Sequence, residues 1–366
     1  MNHQGDIRHG IVNPAGRPLS GWASDPLVYR AFCNEGENAV VLRKRGSTLL
    51  ADAGQGLNAV FRLVPDDIHA QIELLDISNV PDRAWRLTSA AFEYLFATLP
   101  SLQSLSLSGQ AWSPLLGELN LNGIWFTQAR EMQHVLMGEM FWQTSRLWSP
   151  SLTSVFPHYG VFDGKIAHPL RPPKPSGTVY ARQIPWLDGV ISLDVATLDD
   201  LPLVHRWMND PRVNEFWHEA GDEDRHRQYL EGMFADPHIM PLIGRFDNRA
   251  FAYFEVYWAK EDIVGTFCDA GDYDRGCHVI VGEENCRGRD WFTAWLPSLL
   301  HFMFLDDPRT QRIVQEPSSG HHRQLRNLQK SGFSHIRSVD LPTKHAAIMA
   351  ISRQRFFADR LWHPAA

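Results

Sequence analysis

Extended clusters of lysine and arginine are missing from this chain, and 42 acidic side chains outnumber 35 basic ones, for a formal charge of −7. A nucleic acid or an anionic membrane surface needs a basic footprint, so neither is an expected partner, and a cationic small molecule suits the charge better. Long apolar runs are missing as well. The longest, Trp291 to Leu305, is too short to span a bilayer and contains Pro297, Ser298 and His301, so it reads as a core helix. The polar start Met-Asn-His-Gln-Gly-Asp leads into no apolar segment of the signal-peptide kind, and the expected location is cytoplasmic. Cysteine is scarce: Cys33, Cys268, Cys277 and Cys286 are too few for a disulfide framework. The last three lie nine residues apart, wider than the usual spacing of zinc ligands, so no metal is expected.

What the chain does have is aromatic and aliphatic bulk. Hydrophobic residues make up 44% of it, with 13 Trp and 20 Phe, and 366 residues suit two domains of ordinary size. Gly, Pro and Asn recur through residues 1–25, which read as an N-terminal arm. Strand-like runs follow at 39–43, 48–51 and 71–75, a helix over 86–97, and a strand over 102–107, giving a mixed α/β domain over 26–165. Residues 126–147 place apolar side chains at helical spacing. Four prolines between His168 and Gly177 interrupt regular structure, so 166–185 reads as a linker and 186–366 as the second domain. No internal repeat is visible in the residues themselves.

Beyond the linker the pattern sharpens. A strand over 191–195 precedes Thr197, Asp199 and Asp200, an N-cap with acids in the first turn of a helix that runs to Met208 and stops at Pro211. A second helix (224–234) leads to strands 240–246 and 250–258, joined at Asp247-Asn248 as a hairpin. A buried strand (277–281), a helix (289–305), a strand (312–315), a helix (321–330) and two closing strands (334–339 and 346–351) complete the series. That order is the one of the GNAT fold, whose members use acyl-CoA. The expected class is therefore α/β (α+β), with a GNAT domain in the C-terminal half.

Chemistry is expected where strand 277–281 ends. Val281 to Arg289 runs from a strand through Gly288 into a helix, and backbone N–H groups at a helix N-terminus suit the pyrophosphate of coenzyme A. Val279, Val281, Asn285, Arg287, Gly288 and Arg289 are the candidate coenzyme A contacts. His278, on the strand that opens towards the thioester in this fold, is the candidate base, because imidazole titrates in the range that proton removal needs. Cys277 cannot pair with it, since neighbouring strand residues point to opposite faces, so direct transfer is preferred to an acyl-enzyme. Glu255 is a lone carboxylate in an aromatic strand, either facing solvent or paired. Facing inwards, it could hold the ammonium end of a substrate or orient His278. Tyr257 on the same strand, with Asn209 and Trp217 from an aromatic loop, joins it as a candidate substrate contact. Glu316 and Ser318, after the next strand, are further catalytic candidates.

The segments 207–213, 241–247, 253–259 and 307–312 resemble the aerobactin-type N-hydroxylysine acetyltransferases, the siderophore branch of the GNAT acyltransferases. The resemblance covers about 171–357 and, more faintly, the N-terminal half. It implies a GNAT catalytic domain, a degenerate GNAT-like N-terminal domain, and acetyl-CoA or another acyl-CoA as co-substrate. It also implies transfer to the hydroxylamine of N-hydroxylysine, giving a hydroxamate. N-hydroxyornithine or a hydroxylated diamine is the alternative acceptor, and a non-catalytic acyl-CoA-binding partner of a synthetase is the alternative role; homodimer formation stays open. The family histidine falls on His278. Some members place an aspartate where this chain has Ser318, so Glu316 or Glu255 is left to partner the histidine. Asp290 stands where the phosphate loop usually has a small residue.

Overall fold

Alternating and continuous apolar runs pair into two large sheets, one in each of the compact units into which the chain divides, Met1–Leu147 and Trp148–Ala366. The computed structural model describes residues 26–78, 83–128, 134–150, 155–342 and 344–364, so the expected arm over 1–25 lies outside the described residues.

In the first unit, β1 (Leu27–Ala31), β2 (Val40–Arg45), β3 (Thr48–Asp52), β4 (Asn58–Val64), β5 (His69–Ile77), β6 (Ser104–Ser108), β7 (Thr127–Gln128) and β8 (His134–Met137) form one sheet. Their spatial order is β1-β2-β3-β4-β5-β6-β8-β7. Helix α1 (Ala84–Thr98), almost wholly buried, connects β5 to β6, which run parallel. Two short helices follow, α2 (Leu116–Leu121) and α3 (Gly138–Phe141). The helical spacing over 126–147 does not become one long helix: its described part is β7, β8, α3 and a 3-10 turn at Ser145–Leu147. Strand pairing won there, because His134–Met137 completes the ladder beside β6.

The second unit opens with a small two-stranded sheet, β9 (Gly160–Phe162) and β10 (Ala167–Pro169). Its main sheet holds β11 (Thr178–Ile184), β12 (Gly189–Val195), β13 (Ile239–Phe246), β14 (Arg249–Trp258), β15 (Arg275–Val281), β16 (Arg312–Gln315), β17 (Ser334–Asp340) and β18 (His345–Ser352). The order is β11-β12-β13-β14-β15-β16-β18-β17, the sequence of neighbours found in the first unit, again with its parallel pair at the fifth and sixth strands. Residues 178–184, expected as linker, are the edge strand of this sheet. The prolines stop short of it, and polar Arg182 and Gln183, both buried, hide its apolar pattern.

Helices α4 (Leu201–Met208), α5 (Pro211–Trp217) and α6 (Glu223–Ala235) fill the β12–β13 connection. Thr197 and Asp200 form a capping box ahead of α4. Pro211 does not simply end that helix; it opens α5 at the first helical position, where its missing N–H costs nothing, with the Asp210 side chain accepting from Arg212 N. Asp247 and Asn248 both take positive φ, 45° and 65°, as a two-residue hairpin turn requires. A short helix, α7 (Gly265–Cys268), precedes β15, and α8 (Arg289–Asp306) joins β15 to β16. The chain then runs through α9 (His322–Lys330) and closes with α10 (Arg353–Ala358).

Alternation along β14 sorts the two faces of the sheet. The Phe254 ring meets Trp295 of α8 at 5.8 Å, while Tyr253 packs with Trp207 of α4 on the opposite side. Tyr253, Glu255 and Tyr257 thus share the face covered by α4 and α6.

Candidate active site

Strands β15 and β16 pair at Arg275↔Ile313 and Gly276↔Val314 and then part. From Cys277 onwards one edge of β15 meets no strand among the described residues, while its other edge stays paired with β14 as far as Val281. His278 and Glu316 each stand two residues past the last pair, so the period-two alternation of strands brings both to one face across the opening. The His278 Nε2 lies 2.9 Å from Glu316 Oε1, and its Nδ1 lies 3.0 Å from Oε2 of Glu255, its direct cross-strand partner on β14. A side-chain bridge replaces the backbone ladder where the sheet opens.

Both carboxylates are buried, with side chains 4% and 5% exposed for Glu255 and Glu316, whereas the His278 side chain keeps 36% exposure. Burial of two carboxylates is costly unless each oxygen is matched. Here it is. Tyr253 donates to Glu255 Oε1 at 3.0 Å and Tyr229 of α6 donates to the same oxygen; Tyr257 donates to Glu316 Oε2 at 2.9 Å; Lys344 stands 3.5 Å from Glu316 Oε1. Burial, then the neighbouring carboxylates, push the hydroxyls of Tyr253 and Tyr257 well above the usual range, so they remain donors. Burial alone would raise Glu316, but the charge of His278 and its hydrogen bond bring its carboxyl down to about 2. For His278, burial works downwards and is outweighed by the charge of Glu316 and the bonds to both glutamates, which raise its pKa well above the ordinary value. These opposite shifts describe an ion pair between His278 and Glu316, with Glu255 hydrogen-bonded to the other ring nitrogen.

Gly276 makes this geometry possible. A Cβ there would fall 2.2 Å from the Tyr257 ring, which passes directly over it, 4.9 Å from the His278 ring. Trp217, half-buried on α5, stands edge-on to His278 with ring centroids 6.1 Å apart and forms the aromatic wall.

Of the residues singled out by sequence, His278, Glu316, Glu255, Tyr257 and Trp217 come together. Ser318 does not join His278: it makes a backbone bridge with Ala346, and both ring nitrogens are already engaged by the glutamates. Asn209 is occupied elsewhere, tying the Gly221 backbone to the end of α4 through bonds to Gly221 N, Gly221 O and His205 O. Arg287 turns back onto the carbonyls of Val281 and Gly282 at 2.7 and 3.3 Å, so it braces the end of β15. Val279 lies on the stretch of β15 that has parted from β16 but stays paired with β14. Asn285, Gly288 and Arg289 are exposed, and α8 begins at Gly288 (φ 106°) without a side-chain cap. Sequence reasoning missed Tyr229, Tyr253, Gly276 and Lys344. Tyr253, two residues before Glu255 on one strand, was the available signal.

The profile described as Acetyltransferase (GNAT) domain matches residues 196–341, and the second unit has the GNAT fold that its element order led us to expect. N(6)-hydroxylysine O-acetyltransferase from Escherichia coli is 34% identical over 272 residues, which cover 74% of this chain and 84% of that protein. The N(5)-hydroxyornithine:cis-anhydromevalonyl coenzyme A-N(5)-transacylase SIDF from Beauveria bassiana is 44% identical over 195 residues, 52% of this chain and 43% of that protein. Hydroxyornithine transacylase SID3 from Ajellomyces capsulatus is 45% identical over 195 residues, 52% and 44% of the two chains. This chain thus spans less than half the length of the last two.

Proposed function

We propose that this chain, which belongs to the GNAT acyltransferases of siderophore biosynthesis, transfers an acyl group, acetyl in the first instance, from coenzyme A to the hydroxylamine nitrogen of N6-hydroxylysine. The observation that carries the reading is the Glu255, His278 and Glu316 bridge across the opening between β15 and β16. Acyl-CoA enters as a co-substrate. Its pyrophosphate suits the N-terminus of α8 at Gly288, an N-cap that carries no side chain and whose missing Cβ permits close approach. The unpaired edge of β15 offers backbone N–H groups to the thioester carbonyl as negative charge develops on its oxygen.

The acceptor side carries two buried carboxylates and an aromatic wall at Trp217. An aromatic-lined face suits the aliphatic stem of an amino acid. In the reaction the nitrogen–carbon bond forms, the carbon–sulfur bond breaks, and the proton leaving nitrogen ends on the thiol of coenzyme A. Because a carboxylate-bound imidazolium has no free lone pair, His278 serves in this reading as the fixed positive centre of the site, with Glu255 and Glu316 as its frame. We place the reaction in the cytoplasm, where acyl-CoA is available. Among the described residues no helix is long and apolar enough to cross a membrane.

N-hydroxyornithine and hydroxylated diamines are the competing acceptors, and one methylene changes binding by only about 1–3 kcal/mol. The test is a matrix of acyl-CoA donors against hydroxylated amines, read by thiol release, by product mass, and by the coloured ferric complex that distinguishes hydroxamate from O-acyl product. No thiol release with any hydroxylated amine would remove the reading.

A further inference from the structure

Each nitrogen of the His278 ring faces a carboxylate oxygen, at 3.0 Å from Glu255 and 2.9 Å from Glu316. The other oxygen of each carboxylate accepts from phenols: Tyr229 and Tyr253 on Glu255, Tyr257 on Glu316. With each ring nitrogen so engaged, neither presents a free lone pair to a substrate. Among the described residues, the other titratable groups near the bridge include Lys344, 3.5 Å from Glu316; Asp262 in the loop after β14, whose Oδ1 accepts from Val264 N and which also feels His238; and Glu219, which acts on Tyr229. Carboxylates and imidazoles are ordinarily far weaker bases than an alkylamine.

On the acyltransferase reading above, we propose that this site selects an N-hydroxylated amine over an unmodified amine by the basicity of the nitrogen: its central imidazole presents no free lone pair to an ammonium proton, so a nucleophile that arrives neutral is the one that attacks. A lysine side chain, with a pKa of about 10.4, is neutral in about one molecule in 2,500 at pH 7. An attached hydroxyl withdraws electron density and makes the hydroxylamine nitrogen far less basic, so it arrives with its lone pair free. With both ring nitrogens engaged, the imidazole of the bridge has no lone pair with which to deprotonate an alkylammonium. Unmodified lysine therefore binds and waits, and the hydroxyl matters through the electronics of nitrogen, without requiring its own hydrogen-bond partner.

The experiment measures kcat/KM for N6-hydroxylysine and for lysine with acetyl-CoA from pH 7 to 9.5, by product mass, after subtracting amine-free thioester hydrolysis. The expected result is a flat profile for hydroxylysine. For lysine, the value at pH 7 is about three orders of magnitude lower and climbs about tenfold per pH unit, tracking its neutral fraction. Two results overturn the proposal while leaving the acyltransferase reading intact. One is lysine reacting within about tenfold of hydroxylysine at pH 7, which requires a base in the site. The other is lysine still unreactive at pH 9.5, which means that the hydroxyl itself is recognised. Absence of thiol release with every hydroxylated amine at every pH overturns both.

Discussion

Replacing Glu316 by glutamine keeps its shape and removes its charge, and the consequence can be worked from the bridge. The folded protein holds this carboxyl at about 2 against an ordinary value of 4.5: burial raises it, and His278, Lys344 and the Tyr257 hydroxyl more than reverse that. Because the folded pKa is depressed, the stabilisation is complete above pH 4.5 and is lost as pH falls through 2. By linkage that difference of about 2.5 pKa units corresponds to about 3 kcal/mol at pH 7 and about 2 kcal/mol at pH 3.5. The raised pKa of His278 has the opposite sign, present below its ordinary value and lost as pH climbs through the folded one, but it reports the same contact and adds nothing further. Glu316→Gln should therefore lower the melting temperature of the second unit by roughly 6–12 °C at pH 7. In urea titrations followed by tryptophan fluorescence, the gap to the parent protein should narrow by about 1 kcal/mol between pH 7 and pH 3.5. The His278 ring should also titrate at lower pH in the variant by NMR. Equal stability at pH 7, or a gap that widens on acidification, would refute the assignment of charge to this bridge.

Two other substitutions probe the frame. Gly276→Ala drives a Cβ to 2.2 Å from the buried Tyr257 ring, so the ring must move and release Glu316; the expected cost is about 1–3 kcal/mol by thermal melting, together with a fall in kcat larger than any change in acyl-CoA KM. Thr197→Ala removes the capping box ahead of α4 and should cost about 1 kcal/mol in denaturant titration, while turnover per folded molecule stays unchanged.

Regular elements of the second unit could be read from sequence because their pattern is local: the Asp-Asn turn, the Thr197 cap and the apolar run of α8 each declare themselves within a few residues. Polar side chains that serve distant partners concealed the rest. Arg182 sits inside β11 because its guanidinium reaches Ser298 on α8 at 2.9 Å, a contact no window of sequence contains. His278 and Glu255 were visible as polar residues in apolar strands, but their pairing depends on the β14–β15 register, which places them directly opposite one another. Glu316 was visible as a strand-end carboxylate. Its bond to His278 depends on where a parallel ladder stops, and ladder length leaves no mark in the residues. For the same reason Ser318 looked as eligible as Glu316 until the strands were placed.

The two units make that point together. Both carry eight strands in one order with the parallel pair fifth and sixth, a likeness that their residues do not display. In the first unit β5 and β6 stay paired over five positions, from His69↔Ser104 to Glu73↔Ser108, and β2 turns into β3 without intervening helices. In the second, the ladder ends after two positions, and three helices cover the face where His278 stands. Two parallel strands that remain joined satisfy their own backbone and leave no edge for a thioester. Strands that part expose one, and something must then hold them at a fixed separation. The imidazolium between Glu255 and Glu316 does so here, tying β14, β15 and the end of β16 through two charge-assisted hydrogen bonds. Strand order alone therefore does not make an acyltransferase of this fold. Among the described residues, the opening and its side-chain clamp belong to the second unit, and chemistry is to be sought there.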